Sequence, residues 1–230
     1  MHHIQLKILS KLLYSDGSNY AGMRPSGVES NHFAYHLEQL MREGLIAKGD
    51  DKVYRLTADG LALVDRMNPD HLVRRLQPNI VTAIDLTTPD GKTLLFERGF
   101  QPYIHQVCLP MGRLHLGEEI LPAAERELLE KTGLKDIPLT HRGMAYIEAR
   151  QDGEVISKML YHVFHGEAST ELPVTLRPER GRCFWANAHI LPPERLMPGF
   201  LAIKDALARY TGLFFFERTE NMPPSSSVKK

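Results

Sequence analysis

Glu118, Arg126, Glu127 and Glu130 lie close together in LPMGRLHLGEEILPAAERELLEKTGL, the stretch from Leu109 to Leu134. Glu127 and Glu130 are three residues apart, so on a helix they share a face. Carboxylates are almost never fully buried unless paired, so acids this dense at one helix start point to a ligand rather than to packing. A hard cation such as magnesium suits them, because it takes oxygen donors and is often shared between one or two carboxylates and a substrate phosphate. Positioning falls to a loop and a helix. Pro122 suits a first helical turn and Gly133 a residue just past the last, which predicts a helix over Pro122 to Thr132 with Ala124 and Leu128 facing inward. Val107-Cys108-Leu109 reads as a short buried strand that delivers the chain to the loop.

The stretch resembles the Nudix box: a glycine, a glutamate six positions later, then Arg-Glu-Leu, a glutamate pair, a glycine and an aliphatic. Gly112, Glu118, Arg126, Glu127, Leu128, Glu130, Gly133 and Leu134 match, and Lys131 stands where the last glutamate of the pair belongs. The resemblance implies an α/β/α-sandwich domain over about residues 79–212 that acts on a nucleoside diphosphate linked to a second group, with Mg2+ or Mn2+ as cofactor. By that resemblance the Gly112 carbonyl, Glu127 and Glu130 would be metal ligands. Arg126 and Glu118 would pair to fix the loop against the helix. Glu179, ahead of the Trp185 strand, would supply a further acidic ligand.

Lys131 changes the electrostatics of such a site. It replaces a negative charge by a positive one and sits four residues after Glu127, within reach of an i,i+4 ion pair. That pair would occupy an oxygen the metal needs, so metal binding is expected to be weak. A lysine can instead contact a ligand phosphate as a point charge. Two readings stay open: Lys131 holds phosphate at a site that cuts slowly or not at all, or it swings into solvent and leaves a working hydrolase. His105, His115 and His141 flank the expected cleft in sequence and are candidates for a general base.

Around the box, Ile80 to Leu86 and Thr93 to Phe96 are β-rich and joined by the turn signal Thr88-Pro89-Asp90-Gly91. Arg98 to His105 reads as surface loop. Gly143 to Ala149, Val155 to His165 and Cys183 to Ala186 read as strands, and Phe200 to Tyr210 as an amphipathic helix. Phe214-Phe215-Phe216 is too apolar for a free tail and is expected to dock on the body or on a second subunit. Disorder is expected after about residue 221.

The first third has another rhythm. Ile4, Ile8, Leu9, Leu12 and Leu13 recur at helical spacing; a short helix is expected around Asn19 to Arg24, and a third carries Phe33, Leu37, Leu40 and Met41 up to Gly44. Leu45 to Lys48 and Lys52 to Leu56 read as a hairpin, and Thr57 as the N-cap of a helix through Met67. This order resembles a winged helix-turn-helix over residues 1–67, tethered by a linker at 68–78. The resemblance implies double-stranded DNA as a partner, with Asn31, His32, Tyr35 and His36 on the groove-facing helix and Lys48, Lys52 and Arg55 in the wing. Residues 1–78 hold ten Lys and Arg against nine Asp and Glu, a weak basic footprint for such a partner.

Formal net charge is zero over 230 residues, which by itself implies no polyanionic partner. Two cysteines are too few for a disulfide framework, so a reduced, cytoplasmic setting is expected. No apolar run approaches the length of a membrane span, and the opening residues are not expected to form a signal peptide. The whole is similar to Nudix-related transcriptional regulators with the domain order reversed. It implies a dimeric sensor of a nucleotide-type metabolite. The alternative is a magnesium-dependent pyrophosphohydrolase whose first domain serves dimerisation or recruitment.

Overall fold

Helical apolar stripes become the core of the first unit. A computed structural model describes residues 1–67, 77–174 and 180–222; Glu179, most of the expected 68–78 linker and the residues after 222 lie outside them. The chain divides into two compact units, Met1–Leu76 and Gln77–Lys230.

In the first unit, α1 (His3–Leu13) buries Ile4, Ile8, Leu9 and Leu12. Then follow α2 (Tyr20–Met23), α3 (Ser30–Arg42), the hairpin β1 (Ile46–Lys48) and β2 (Tyr54–Leu56), and α4 (Ala58–Asp65). Phe33, Leu37 and Leu40 of α3 are buried with the α1 stripe in one cluster. Each such side chain contributes roughly 1.5–3 kcal/mol by leaving water. Thr57 caps α4, its hydroxyl accepting from the Gly60 N–H at 3.1 Å. The helix stops at Asp65, two residues short of the expected Met67.

The second unit is built on an eight-stranded sheet. Its strands are β3 (Asn79–Thr87), β4 (Thr93–Arg98), β5 (Val107–Cys108), β6 (Met111–Arg113), β7 (Thr140–Gln151), β8 (Glu154–Glu167), β9 (Gly181–Ala186) and β10 (Phe214–Asn221). The path runs β10-β7-β8-β3-β4-β5, with β6 on β3 and β9 on β4. The β10–β7 and β3–β8 pairs are parallel and the others antiparallel. The helix α5 (Ile120–Thr132) packs against β3 and β6. The other helix, α6 (Phe200–Arg209), is tied to the sheet by Lys204, whose Nζ lies 2.7 Å from the buried Asp85 carboxylate and 3.1 Å from the Thr93 hydroxyl.

The sheet takes in residues beyond 212. Phe214 is buried and β10 runs beside β7 from Gly143 to Arg150, so Phe214 docks on its own body while Phe215 stays 63% exposed. The α5 helix begins at Ile120, two residues before Pro122, with Glu119 as an N-cap that makes no side-chain hydrogen bond. It ends where expected, at Gly133, whose φ of 76° is left-handed and costs glycine nothing. The loop after Arg98 is exposed as expected from Gly99 to His105, with Tyr103 the exception. Tyr103 is buried, and its hydroxyl meets the Ser157 hydroxyl on β8 at 2.5 Å.

Among the described residues no helix is long and apolar enough to cross a membrane.

Candidate functional site

Strand β6 and helix α5 come together at Gly112. A Cβ there would lie 1.7 Å from the Glu127 carboxyl carbon, so only glycine lets the helix carboxylate reach the strand. The Glu127 side chain is 8 % exposed, and two cations hold it. Arg126 donates to Oε1 at 2.8 Å and the Lys131 ammonium lies 3.3 Å from Oε2. The i,i+4 pair is therefore formed. Lys131 is 20 % exposed rather than swung into solvent, and its Nζ also sits 5.3 Å from the centre of the Phe96 ring, a favourable cation–π position.

Arg126 is the hub. Its Nε and Nη2 donate to the two Glu118 oxygens at 2.6 and 2.9 Å, and Nη2 also reaches the Arg113 carbonyl at 3.2 Å. This fork is the bidentate geometry a guanidinium favours. Glu118 further accepts from the His115 N–H at 3.0 Å, which closes the loop on itself. The Arg126 hydrogen bonds, followed by that from His115, lower the Glu118 pKa to about 2. A depressed folded-state pKa means stability present above the unfolded value and lost as pH falls toward the folded one. The loop's attachment should therefore weaken between about pH 4.5 and 2. Acid unfolding followed by circular dichroism should show this, and Glu118→Gln should flatten the loss in that window.

Most of the acidic oxygens near Gly112 are engaged by cations. Both Glu127 oxygens face cations, and both Glu118 oxygens are taken. Glu130 is 43 % exposed, with one oxygen 3.5 Å from Arg126. Among the described residues no group of three or more His, Cys, Asp or Glu side chains is placed to hold a metal ion. Glu179 lies outside the described residues.

Gly112, Arg126, Glu127, Glu130 and Lys131 all line one cleft of about 570 Å3. Sequence spacing did not reveal what completes it. Arg98, Arg113 and Arg180 add cations from separate segments, so five Arg or Lys side chains face two acids already in contact with cations. Such a lining attracts a polyanion. His115 lines the cleft too. His141 instead approaches His162, their ring nitrogens 3.3 Å apart, and His105 is not among the cleft's lining residues.

In the first unit, Asn31, His32 and Tyr35 are exposed on α3. His36 is half-buried and stacked on His2 with ring centres 4.1 Å apart. In the hairpin, Lys48 lies 5.3 Å from the Tyr54 ring centre, and Lys52 occupies the turn with a φ of 61°. Arg55 is engaged locally, its two Nη atoms 3.1 and 2.7 Å from the Asp51 carboxylate.

Residues 76–207 match the family model described as the NUDIX domain. No curated protein sequence matches the chain. Solved structures with similar folds include a MutT protein from Bacillus halodurans, at 20% identity and a TM-score of 0.49, covering 62% of this chain and 90% of that one. Another is the NUDIX domain of Shewanella oneidensis NrtR complexed with ADP ribose, at 15% identity and a TM-score of 0.47, covering 66% of this chain and 97% of that one. A third is a bifunctional NMN adenylyltransferase/ADP ribose pyrophosphatase from Francisella tularensis, at 17% identity and a TM-score of 0.49, covering 80% of this chain and 61% of that one.

Proposed function

Because this chain belongs to the NUDIX family, we propose that it is a nucleotide-metabolite sensor whose second unit binds a nucleoside-diphosphate-linked ligand and holds it with little or no hydrolysis. The observation that carries this reading is the Glu127 carboxylate clasped between Arg126 at 2.8 Å and Lys131 at 3.3 Å. A carboxylate so neutralised is a poor ligand for a divalent cation. The cationic lining can neutralise a pyrophosphate in the metal's place, with Arg113, Arg126, Lys131 and Arg180 as candidate phosphate contacts.

The first unit is proposed to be a winged helix-turn-helix that binds double-stranded DNA. The order of three helices, hairpin and helix supports this, as does the exposure of Asn31, His32 and Tyr35 on α3 and of Lys48 and Lys52 in the hairpin. Arg55, committed to Asp51, is the weakest of the named contacts. Readers of this type pair with two-fold sites, so a homodimer is the proposed working form and a transcription regulator the proposed role.

Titration calorimetry with inorganic pyrophosphate in EDTA tests the cleft, and anisotropy of labelled upstream DNA at two salt concentrations tests the first unit. Pyrophosphate should bind in EDTA, with no Mg2+ added. DNA affinity should fall as salt rises. A strict Mg2+ requirement would overturn metal-independent binding, and salt-indifferent or absent DNA binding would remove the regulator role.

The second reading is a pyrophosphohydrolase with the first unit as an interaction module. Glu130 favours it, being 43 % exposed and, among the described residues, held by no more than the 3.5 Å approach to Arg126. Turnover of ADP-ribose or a nucleotide sugar near 1 s⁻¹ or above, ordinary for an enzyme, would decide for that reading.

A further inference from the structure

The cleft's lining is of two chemical kinds. Besides the cations it includes the apolar Phe100, Pro102, Ile156 and Met159. Phe100 is 42 % exposed although it belongs to an ordered loop between β4 and β5. The Arg98 guanidinium carbon lies 4.2 Å from its ring centre, and the Arg98 Nε donates to the Pro102 carbonyl at 3.1 Å. The loop is pinned again by buried Tyr103, whose hydroxyl meets Ser157 on β8. Its other flank is tied down by the Gly99 N–H, which donates to the Arg180 carbonyl at 3.0 Å. A large aromatic ring is thus backed by a cation, fixed in a braced loop and left open to the cleft.

We propose that Phe100 is a stacking platform for the base of a nucleoside diphosphate whose phosphates lie against Arg113, Lys131 and Arg180. This rests on the reading of the cleft as a pyrophosphate site and adds what selects the rest of the ligand. The chemistry follows from the two kinds of lining. Aromatic stacking is strong for a planar base and indifferent to its hydrogen-bonding edge, while the guanidinium groups bind phosphate whatever is attached. Preorganisation by Arg98 and Tyr103 spares the ligand the entropy of ordering the loop. The platform is a specificity element, so its loss should remove the advantage of a nucleotide over bare pyrophosphate and leave pyrophosphate itself unaffected.

Calorimetric titration of the full chain with ADP and with inorganic pyrophosphate, in EDTA, tests this on the wild type, Phe100→Ala and Phe100→Tyr. The wild type should bind ADP more tightly than pyrophosphate. Phe100→Ala should weaken ADP by about 5- to 150-fold, the range expected for loss of one stacked base, with pyrophosphate unchanged. Phe100→Tyr should keep the ADP affinity. Equal loss of both ligands in Phe100→Ala, or no loss of ADP, would overturn the platform while leaving the cationic cleft standing. Failure of the wild type to bind either ligand would overturn the cleft reading and the platform with it.

Discussion

Lys131→Glu is expected to raise affinity for Mn2+ or Mg2+ at least tenfold over the wild type, and with it any hydrolysis of ADP-ribose or nucleotide sugars. The substitution removes the ammonium 3.3 Å from Glu127 and leaves an acid in its place. A unit charge facing a divalent cation at 4–6 Å changes the energy by several kcal/mol at an effective dielectric of ~20. A tenfold affinity gain needs only about 1.4 kcal/mol of it. The freed Glu127 oxygen, together with Glu130 and the new carboxylate, would then gather the oxygen donors a hard cation prefers. Manganese binding followed by electron paramagnetic resonance reads the effect without depending on turnover. Unchanged metal affinity would show that Lys131 is not what sets the site against metals. Lys131→Met is the companion: it removes the charge without adding a ligand and should give a smaller gain.

Arg126→Ala is expected to destabilise the second unit. Arg126 touches Glu118, Glu127, Glu130 and the Arg113 carbonyl. Truncating it leaves Glu118 with its hydrogen bond from the His115 N–H and Glu127 with Lys131, and these acids are 17% and 8 % exposed in their side chains. Removing one partner of a fully buried pair costs about 3–5 kcal/mol; these groups are partly solvated, so the loss is expected to fall below that range. Denaturant unfolding of the second unit's transition should show it. Lys would keep the charge but not the fork, so Arg126→Lys should restore only part of the stability. A midpoint unchanged by Arg126→Ala would mean that the network is solvated and carries no net stability.

Much of this site is written in the short range. Glu127, Glu130 and Lys131 are neighbours because a helix returns every 3.6 residues, and that period is visible in the residues themselves. The Glu127–Lys131 pair could therefore be read off the spacing. So could the end of α5 at Gly133 and the apolar stripes of α1 and α3, since each involves residues within a turn or two. The start of α5 was placed two residues late because Pro122 is compatible with several positions in a first turn, and Glu119 makes no side-chain cap to mark it. The β6 strand went unread because three residues with a central glycine carry no alternation.

Tertiary structure decided the rest. The cleft draws Arg98 from the end of β4, Arg113 from β6 and Arg180 from beside β9. Nothing in the spacing of those residues links them; their proximity follows from the order in which strands pair across the sheet. Phe100 and Tyr103 looked like one surface loop, yet one is buried against β8 and the other faces the cleft. The aromatic run at Phe214 had two possible docking places. Pairing with β7 gives Phe214 the first, because it buries that ring and satisfies a strand's worth of backbone groups at once. Composition and period, then, reach as far as the helix and the charges it carries on one face. Which distant cations and which aromatic ring meet that face depends on burial and hydrogen bonding summed over the whole sheet, and no local window of residues contains that sum.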